Sequence, residues 1–215
     1  MTMRLHNFFR SSTSTRLRAA LNLKGLATEY VAYALRKGET RAPRYLAMNP
    51  AGLVPVLELE DGTALVQSLA IIEWLDETHA GPSLLPKDAA GRARVRALSY
   101  MIACEIHPLN NLRVLNRLAE QFGADEAAQK LWFVHWVETT FDPLEIMLAQ
   151  DCHTGTYCHG DRPGLADCCL YAQVWNNRRF AIDTNRWPTI KRIFDALDAL
   201  PAFRDAAPMN QPDAV

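Results

Sequence analysis

The sequence predicts an α/β domain followed by an all-α domain. Over the first eighty residues, short runs with strand character alternate with runs of helical spacing, and beyond residue 91 the strand signals disappear. A stretch rich in Gly and Pro at 79–91 interrupts regular structure between the two parts. A chain of 215 residues is long enough for two small domains, which we expect at 1–82 and 88–215.

The first domain is predicted to have the order strand, helix, strand, helix, strand, strand, helix. A hydroxyl at Ser14 or Thr15 can cap the first helix by accepting from a free backbone N–H, and Lys24-Gly25 is typical of a helix end. Asp61-Gly62 is typical of a hairpin turn between the last two strands. The strands are expected at 4–9, 29–35, 54–59 and 64–66, and the second and third helices at 43–48 and from Ser68 onward.

The second domain is predicted to be helical throughout, with a Pro-rich, extended tail at 206–215. Apolar residues recur at helical spacing between 89 and 122, and Pro108 is expected to kink that helix because proline has no N–H to donate. Asp125 is expected to cap the next helix. Two further helices are expected at 165–178 and 188–200.

The bulk properties of the chain exclude several classes of function. A net charge of −1 gives no general basic field for nucleic acid or an anionic membrane, and no window reaches the roughly 18 consecutive apolar residues of a membrane span. The N-terminal residues lack the pattern of a secretory signal, and an odd number of cysteines favours reduced thiols in the cytoplasm. Cys152 and Cys158 lie near His153 and His159, but their spacing matches no common zinc motif, so no metal site is predicted.

A hydroxyl-rich turn, Arg10-Ser11-Ser12-Thr13-Ser14, lies between the first strand and the first helix. Free N–H groups and the positive end of the helix dipole collect at this position. A hydroxyl placed there can donate to a thiolate and thereby lower the pKa of the thiol. Taken alone, such a cluster is more often only a helix cap.

Two other polar features occur at strand ends. A cis bond between Val54 and Pro55 would turn the Val54 backbone outward, where it can pair with an extended peptide ligand; an ordinary edge strand is the alternative. At Gln67-Ser68 an amide, a hydroxyl and the free N–H groups of a helix converge, which suits a carboxylate. A simple N-cap explains Ser68 equally well.

The three polar features belong to an ordered set of motifs that runs along essentially the whole chain. The set comprises 11–14, 16–18, 20–25, Asn49-Pro50, Val54-Pro55, 67–75, 84–86, 106–111, Ala166-Asp167, Gln173-Val174, Arg179-Phe180 and 211–213. This set resembles the cytosolic glutathione transferases, and most closely their zeta class, which contains maleylacetoacetate isomerase and the bacterial maleylpyruvate isomerases. The resemblance implies a thioredoxin-like domain followed by an all-helical domain.

The resemblance also implies a cofactor, a substrate class and roles for particular residues. Glutathione is the implied cofactor, and the first hydroxyl of the turn would activate its sulfur. The implied substrate is a dianionic maleyl compound, whose carboxylates arginine can bind in a bidentate way. The implied catalytic residues are Ser11, Ser12 and Thr13; the implied glutathione ligands are these three with Val54, Gln67, Ser68, His107 and Asn111; and the implied substrate ligands are Arg10, Arg113 and Arg179.

Three positions bear on which relative the chain resembles most. Thr13 stands where many zeta proteins have cysteine, and the bacterial maleylpyruvate isomerases also have threonine there. Those isomerases place an arginine directly after the two asparagines, whereas this chain has Leu112 there and Arg113 next, about 100° further round a helix. Gly164 replaces the usual Ser/Thr before the Ala-Asp pair, so a buried capping box is expected to be half lost.

The resemblance leads to one main hypothesis and two alternatives. The main hypothesis is a glutathione-dependent cis-trans isomerase that converts maleylacetoacetate or maleylpyruvate to the fumaryl isomer in aromatic catabolism and regenerates glutathione. The alternatives are a transferase or dehalogenase acting on small α-halo acids, and a non-catalytic protein that keeps the fold as an interaction module. The resemblance further implies a homodimer in the cytoplasm, with no nucleic-acid or membrane partner.

Overall fold

A computed structural model describes residues 2–215; Met1, the first residue of the predicted domain 1–82, lies outside the described residues. The chain divides into two units. The first consists of Met1–Leu85 with Asp198–Val215, and the second of Pro86–Leu197.

The C-terminal segment 198–215 lies with the first unit, whereas the sequence predicts it in the helical domain, 88–215. Hydrogen bonds from the first unit hold it there. Arg18 Nε donates to the Ala206 carbonyl at 3.1 Å, and the Phe9 N–H donates to the Asp213 carboxylate at 3.1 Å. Partners this far apart in sequence leave no periodic signal, so the hydrophobic pattern of the segment does not reveal this association.

Residues 206–215 are not the extended tail that their proline content predicted. A 3₁₀ turn, Pro208–Asn210, is followed by Gln211, whose Nε2 donates to the carbonyls of Asp205 and Ala207 at 2.7 and 2.9 Å. These two bonds fold the tail back on itself. Proline restricts φ but does not exclude a turn, which is why composition alone was misleading.

The first unit contains a four-stranded mixed sheet with helices between its strands. The strands are β1 Arg4–Asn7, β2 Glu29–Ala32, β3 Val56–Glu58 and β4 Ala64–Val66, and the helices are α1 Ser12–Leu23, α2 Pro43–Met48 and α3 Ser68–Thr78. The strand order is β2-β1-β3-β4, with β1 parallel to β2 and antiparallel to β3, and β3 antiparallel to β4. This is the thioredoxin-like arrangement, and the predicted fold of this half is confirmed.

The core of the first unit lies between the sheet and the pair α1 and α3, which pack on each other. Leu17 of α1, Leu57 of β3, and Ile72 and Leu75 of α3 are fully buried. Burying an aliphatic side chain of this size contributes roughly 1.5–3 kcal/mol. This core fixes the first turns of α1 and α3 relative to the sheet, and the candidate site residues stand at those turns.

The first helix begins earlier than predicted. α1 starts at Ser12 with Ser11 as its N-cap, so the predicted cap at Ser14 or Thr15 is wrong. The Ser11 backbone is extended (φ −67°, ψ 119°), and its N–H donates to the Phe8 carbonyl at 3.1 Å. Each hydroxyl of the turn could accept from a free N–H at the start of a helix. The tight turn at Phe8 places Ser11 at the cap position.

The second unit is all-α, as predicted. Its helices are α4 Ala89–Tyr100, α5 Leu112–Phe122, α6 Glu126–Gln150, α7 Leu165–Asn177 and α8 Pro188–Asp198, and the short α9 Pro201–Arg204 follows in the first unit. The helix predicted over 89–122 is broken: a π-helical turn, Met101–Ile106, extends α4, and the chain leaves helical geometry around Pro108 before α5 begins. A proline without an N–H to donate explains why the helix stops there. Within residues 2–215, no helix combines the length and apolar character that crossing a membrane requires.

One buried acid organises the start of α7. Asp167 is only 1% exposed, and its carboxylate accepts from the N–H groups of Gly164 and Cys158 at 2.8 and 2.9 Å. Because Gly164 has no side chain, the reciprocal half of the capping box is missing, as the sequence predicted. Burial raises the pKa of Asp167 above its ordinary value.

Candidate active site

The three polar features of the first unit lie at one end of its sheet. His6 of β1 pairs with Val56 of β3, and Val56 pairs with Val66 of β4, in both cases antiparallel. The segment that follows β1, the segment that precedes β3 and the segment that follows β4 therefore all leave the sheet at the same end. These segments carry the hydroxyl-rich turn, Val54 and Gln67-Ser68, so the register brings all three features to one edge.

The hydroxyls at the start of α1 form a directed chain. Thr13 Oγ1 donates to the Val54 carbonyl at 3.0 Å and lies 2.7 Å from Ser11 Oγ. A hydroxyl has one proton, and because that of Thr13 goes to Val54, the Ser11 hydroxyl donates to Thr13. Ser11 Oγ also accepts from the Ser14 N–H at 3.3 Å. The Ser11 proton therefore points along this chain and is held by one neutral hydroxyl, which a stronger acceptor can outcompete.

The environment of Ser11 favours negative charge. Ser11 stands at the N-terminus of α1, where unpaired N–H groups and the helix dipole give a positive potential. The first turn of α1 consists of the uncharged residues 12–15, and Ser12 is buried. Arg10, half-buried at the same turn, holds its guanidinium 5.1 Å from the centre of the Phe9 ring. A thiolate or carboxylate placed at this turn therefore meets the positive end of the helix dipole.

The backbone at Val54 is held in an unusual conformation. The Val54–Pro55 bond is cis, which is one of the two alternatives that the sequence left open. Strand β3 begins only at Val56. The preceding carbonyl, that of Leu53, accepts from Tyr45 Oη at 2.8 Å and from Asn49 Nδ2 at 2.7 Å. These bonds fix the segment that presents Val54 at the sheet edge.

Tyr45 is a supporting residue that could not be recognised from the sequence. It is 1% exposed in the short helix α2, and burial raises its pKa, so its hydroxyl remains a donor at neutral pH. A single tyrosine in a short, weakly periodic helix carries no signal of its hydrogen-bond partner. Only the fold shows that it holds the Leu53 carbonyl.

Gln67 occupies a strained backbone position at the start of α3. Its φ is 69° and its ψ 103°, a combination that costs a non-glycine residue roughly 1–3 kcal/mol. Its side chain is exposed, whereas Ser68 is buried. Strain of this kind persists where surrounding structure imposes it and is concentrated at ligand sites. With the unpaired N–H groups of the first turn of α3, the position offers several donors to a carboxylate.

The second unit brings His107 and Asn111 together at the break between the π-helical turn and α5. The Asn111 amide nitrogen lies 3.3 Å from His107 Nε2. Because an amide nitrogen only donates, Nε2 accepts and His107 carries its proton on Nδ1. Asn111 is also the N-cap of α5, since its Oδ1 accepts from the Arg113 N–H at 3.2 Å.

The two candidate arginines of the second unit are both exposed. Arg113 follows Leu112 in the first turn of α5. Arg179 lies in the 3₁₀ turn Arg178–Phe180, with its guanidinium 5.4 Å from the centre of the Phe180 ring. A guanidinium group at an exposed position can bind a carboxylate in a bidentate way.

The surroundings of the cysteine and histidine residues near 150–160 do not favour metal binding. Cys158 is buried, and burial raises the pKa of its thiol well above the ordinary value, which disfavours the thiolate that a metal needs. Asp151, Cys152 and His153 bring possible ligand atoms within 4.8 Å of one another. The Asp151 carboxylate, however, already accepts from Arg94 Nε at 2.6 Å, and this cation opposes a metal ion at the same place.

The chain is similar to known proteins over its whole length. A family model described as the N-terminal domain of glutathione S-transferase matches residues 10–78. A maleylpyruvate isomerase of Ralstonia sp. is 50% identical over 99% of this chain and 100% of that protein. A holo structure of maleyl pyruvate isomerase, described as a bacterial glutathione S-transferase in the zeta class, is 50% identical with a TM-score of 0.96 and covers 99% of this chain and 100% of its own.

A second solved structure has ligands bound. Maleylacetoacetate isomerase from Methylobacterium extorquens AM1, with malonate and GSH bound, is 40% identical with a TM-score of 0.96. The similarity covers 99% of each chain.

Proposed function

The chain belongs to the zeta class of the glutathione S-transferases, and we propose that it is a glutathione-dependent cis-trans isomerase of a maleyl keto acid. It converts maleylacetoacetate or maleylpyruvate to the fumaryl isomer in the catabolism of aromatic compounds. The observation that carries this proposal is the hydroxyl chain from Ser11 through Thr13 to the Val54 carbonyl at the start of α1. It occurs in a chain 50% identical over 99% of its length to a maleylpyruvate isomerase.

The polar edge of the first unit fits glutathione. Gln67 and Ser68, at the strained start of α3, bind the γ-glutamyl carboxylate. The Val54 backbone, presented at the cis bond, pairs with the cysteinyl backbone. Ser11 then faces the sulfur, with Ser12 and Thr13 completing the pocket. The family resemblance implies His107 and Asn111 as further glutathione ligands.

The proposed role of Ser11 is to donate a hydrogen bond to the glutathione sulfur. When bound, glutathione supplies a nucleophilic sulfur that can add to and leave an electron-poor double bond, which permits rotation about that bond. The Ser11 hydroxyl donates to this sulfur in its anionic form by turning away from Thr13, while the α1 dipole favours the negative charge. Both effects lower the pKa of the bound thiol.

Arginine side chains bind the dianionic substrate. The candidate ligands of these carboxylates are Arg10, at the turn beside Ser11, and the exposed Arg113 and Arg179. Malonate, a small dicarboxylate, is bound in the Methylobacterium extorquens relative. A charge-assisted pair of this kind contributes roughly 1.5–3 kcal/mol.

The proposal is tested by product analysis. The purified protein is incubated separately with maleylacetoacetate, with maleylpyruvate and with a small α,α-dihalo acid, in each case in the presence of glutathione. The expected result is the fumaryl isomer with no loss of glutathione. A thioether with glutathione consumed, or glyoxylate from a halo acid in place of isomerisation, would establish the transferase or dehalogenase alternative. Failure to bind immobilised glutathione, with no rate above background, would leave only the interaction module.

Leu112→Arg is expected to raise kcat/KM for maleylpyruvate. The substitution restores an arginine directly after the two asparagines, in the first turn of α5, as in the bacterial maleylpyruvate isomerases. The expected gain is roughly tenfold, or about 1.4 kcal/mol, and is measured by comparing kcat/KM for the two maleyl substrates. Leu112→Gln, which is polar but uncharged, is the control. An equal gain in Leu112→Gln would show that charge at this position does not bind the substrate.

We further propose a homodimer that works in the cytoplasm. All five cysteines are free thiols, three of them buried, which supports a reducing compartment. The dimer is supported by membership of the family. A mass of two chains in light scattering at micromolar concentration is expected, and the mass of one chain would contradict it.

A further inference from the structure

The segment between β1 and Ser11 is held on both sides by residues remote in sequence. The Phe9 N–H donates to Asp213 Oδ2 at 3.1 Å, and the Phe9 carbonyl accepts from Arg18 Nη2 at 2.9 Å. Phe9 lies just before the active-site turn, whose first hydroxyl is that of Ser11. Both polar backbone groups of Phe9 are therefore bound by side chains.

Arg18 joins the turn to its surroundings. It is 5% exposed, and its guanidinium also donates to Asn7 Oδ1 at 2.8 Å, to Thr15 Oγ1 at 2.9 Å and to the Ala206 carbonyl at 3.1 Å. Burial lowers its pKa to about 10, so it remains charged at neutral pH. One cation thus connects the end of β1, the first turn of α1 and the C-terminal tail.

Asp213 forms the opposite side of this arrangement. One of its oxygens accepts from Phe9, and the other accepts from the Tyr30 hydroxyl of β2. Burial raises the pKa of Tyr30, so the tyrosine stays protonated and keeps donating. The carboxylate therefore connects the edge of the sheet with the turn, and neither of these two partners is a proposed glutathione ligand.

We infer that Asp213 and Arg18 are positioning residues for Ser11, and that the C-terminal tail, 206–215, holds the active-site turn in place through Asp213. The Ser11 N–H donates to the Phe8 carbonyl, so a shift of the backbone at Phe9 displaces the Ser11 hydroxyl with it. Catalytic groups must be held within about 0.5 Å of their productive position, and misplacement by about 1 Å can cost roughly a hundredfold in rate. The inference rests on the proposed role of Ser11 toward glutathione.

Asp213→Ala is the direct test, with Asp205→Ala, an exposed carboxylate directly before the tail, as its matched control. Three quantities are measured: the pKa of bound glutathione from its thiolate absorbance, kcat and KM for the maleyl substrate, and amide hydrogen exchange over 9–14. In Asp213→Ala we expect faster exchange, roughly tenfold less thiolate at neutral pH and a matching fall in kcat, with KM little changed. Asp205→Ala should resemble the wild type.

A merely structural tail would behave differently. Asp213→Ala would then lose stability against urea, while the folded fraction kept the wild-type thiol pKa and exchange rates; that result would overturn the inference. If Asp213→Ala does not fold, Tyr30→Phe removes only the second anchor of the same carboxylate. Tyr30→Phe should change exchange at Phe9 and the thiol pKa in the same direction by a smaller amount, and no change in either would also overturn it.

The exchange measurement separates this inference from the proposed function. It needs no glutathione, so it reports on the turn even if the wild-type protein fails to bind glutathione. Faster exchange in Asp213→Ala without any glutathione binding would show that the tail positions the turn and that the proposed function is wrong. Unchanged exchange with normal glutathione binding would show that the tail does not position the turn, while the proposed function would stand.

Discussion

Ser11→Ala is expected to lower kcat for the isomerase reaction by roughly 10²–10³-fold. This is the usual effect of removing one preorganised hydrogen-bond donor that stabilises a negative charge. Ser11 is the residue that caps α1 and heads the hydroxyl chain through Thr13 to Val54. Without its hydroxyl, the thiolate at this turn keeps the helix dipole but loses its donor. The pKa of the bound thiol should therefore rise, and the fraction of thiolate at neutral pH should fall.

The loss of Ser11 has a separate effect on folding, which must be distinguished from that on catalysis. Its Oγ accepts from the Ser14 N–H, and removing such a cap costs about 1 kcal/mol. A domain stable by roughly 5–15 kcal/mol remains folded after that loss. The expected outcome is therefore a folded protein, nearly inactive, with a raised thiol pKa measured from thiolate absorbance.

Ser14→Ala is the matched control for this experiment. Ser14 lies in the same turn, is 0% exposed, and among residues 2–215 its Oγ has no hydrogen-bond partner. Its removal should leave kcat within about twofold of the wild type, because no donor toward the site is lost. If Ser14→Ala lost activity while Ser11→Ala retained it, the thiolate donor would have been assigned to the wrong serine.

The cap of α1 shows what local sequence could and could not predict. The turn at 10–14 was recognisable because hydroxyls, a preceding strand and a following helix occur together in the sequence. Which hydroxyl caps the helix was not recognisable, since each of them satisfies the same hydrogen bond. The choice of Ser11 depends on the turn at Phe8, and that turn is held by Arg18 and by a tail residue from the far end of the chain.

Backbone conformation was predicted well only where a residue type imposes it. Pro43 sets φ for the first residue of a helix, and α2 has the predicted bounds, Pro43–Met48. Gln67 has a positive φ that is typical of glycine, so its strain had no signal in the residue type. That conformation results from packing of β4 and α3, which is a tertiary effect.

Asp167→Ala is expected to reduce the free energy of unfolding by about 3–5 kcal/mol, a loss typical of removing one partner from a buried charged network. The Asp167 carboxylate accepts from two backbone N–H groups, those of Cys158 and Gly164, at the buried start of α7. Alanine leaves both buried donors without this acceptor, and each unpaired buried donor costs roughly 1–3 kcal/mol. The stability is measured by urea denaturation, with the slope used to check that unfolding remains two-state.

Asp161→Ala is the control that separates burial from the number of hydrogen bonds. Asp161 also accepts two, from the N–H and the hydroxyl of Thr156 at 2.9 and 2.7 Å, but its side chain is exposed. Water can replace these bonds, so the expected loss is much smaller than that of Asp167→Ala. Equal losses in the two variants would show that exposure is not what makes Asp167 important.

The pH dependence of the two variants should have opposite signs. Burial raises the pKa of folded Asp167 above its ordinary value of 3.8, so the folded state binds this proton more readily than the unfolded state. The stability that protonation contributes is fully present below 3.8 and is lost as pH rises through the folded pKa. The hydrogen bonds from Thr156 lower the pKa of Asp161, so its contribution is present above 3.8 and is lost as pH falls through the folded pKa. The loss of unfolding free energy in Asp167→Ala, relative to the wild type, should therefore grow in acid, whereas the loss in Asp161→Ala should shrink. If the loss in Asp167→Ala shrank in acid instead, the buried position would stabilise the ionised carboxylate rather than destabilise it.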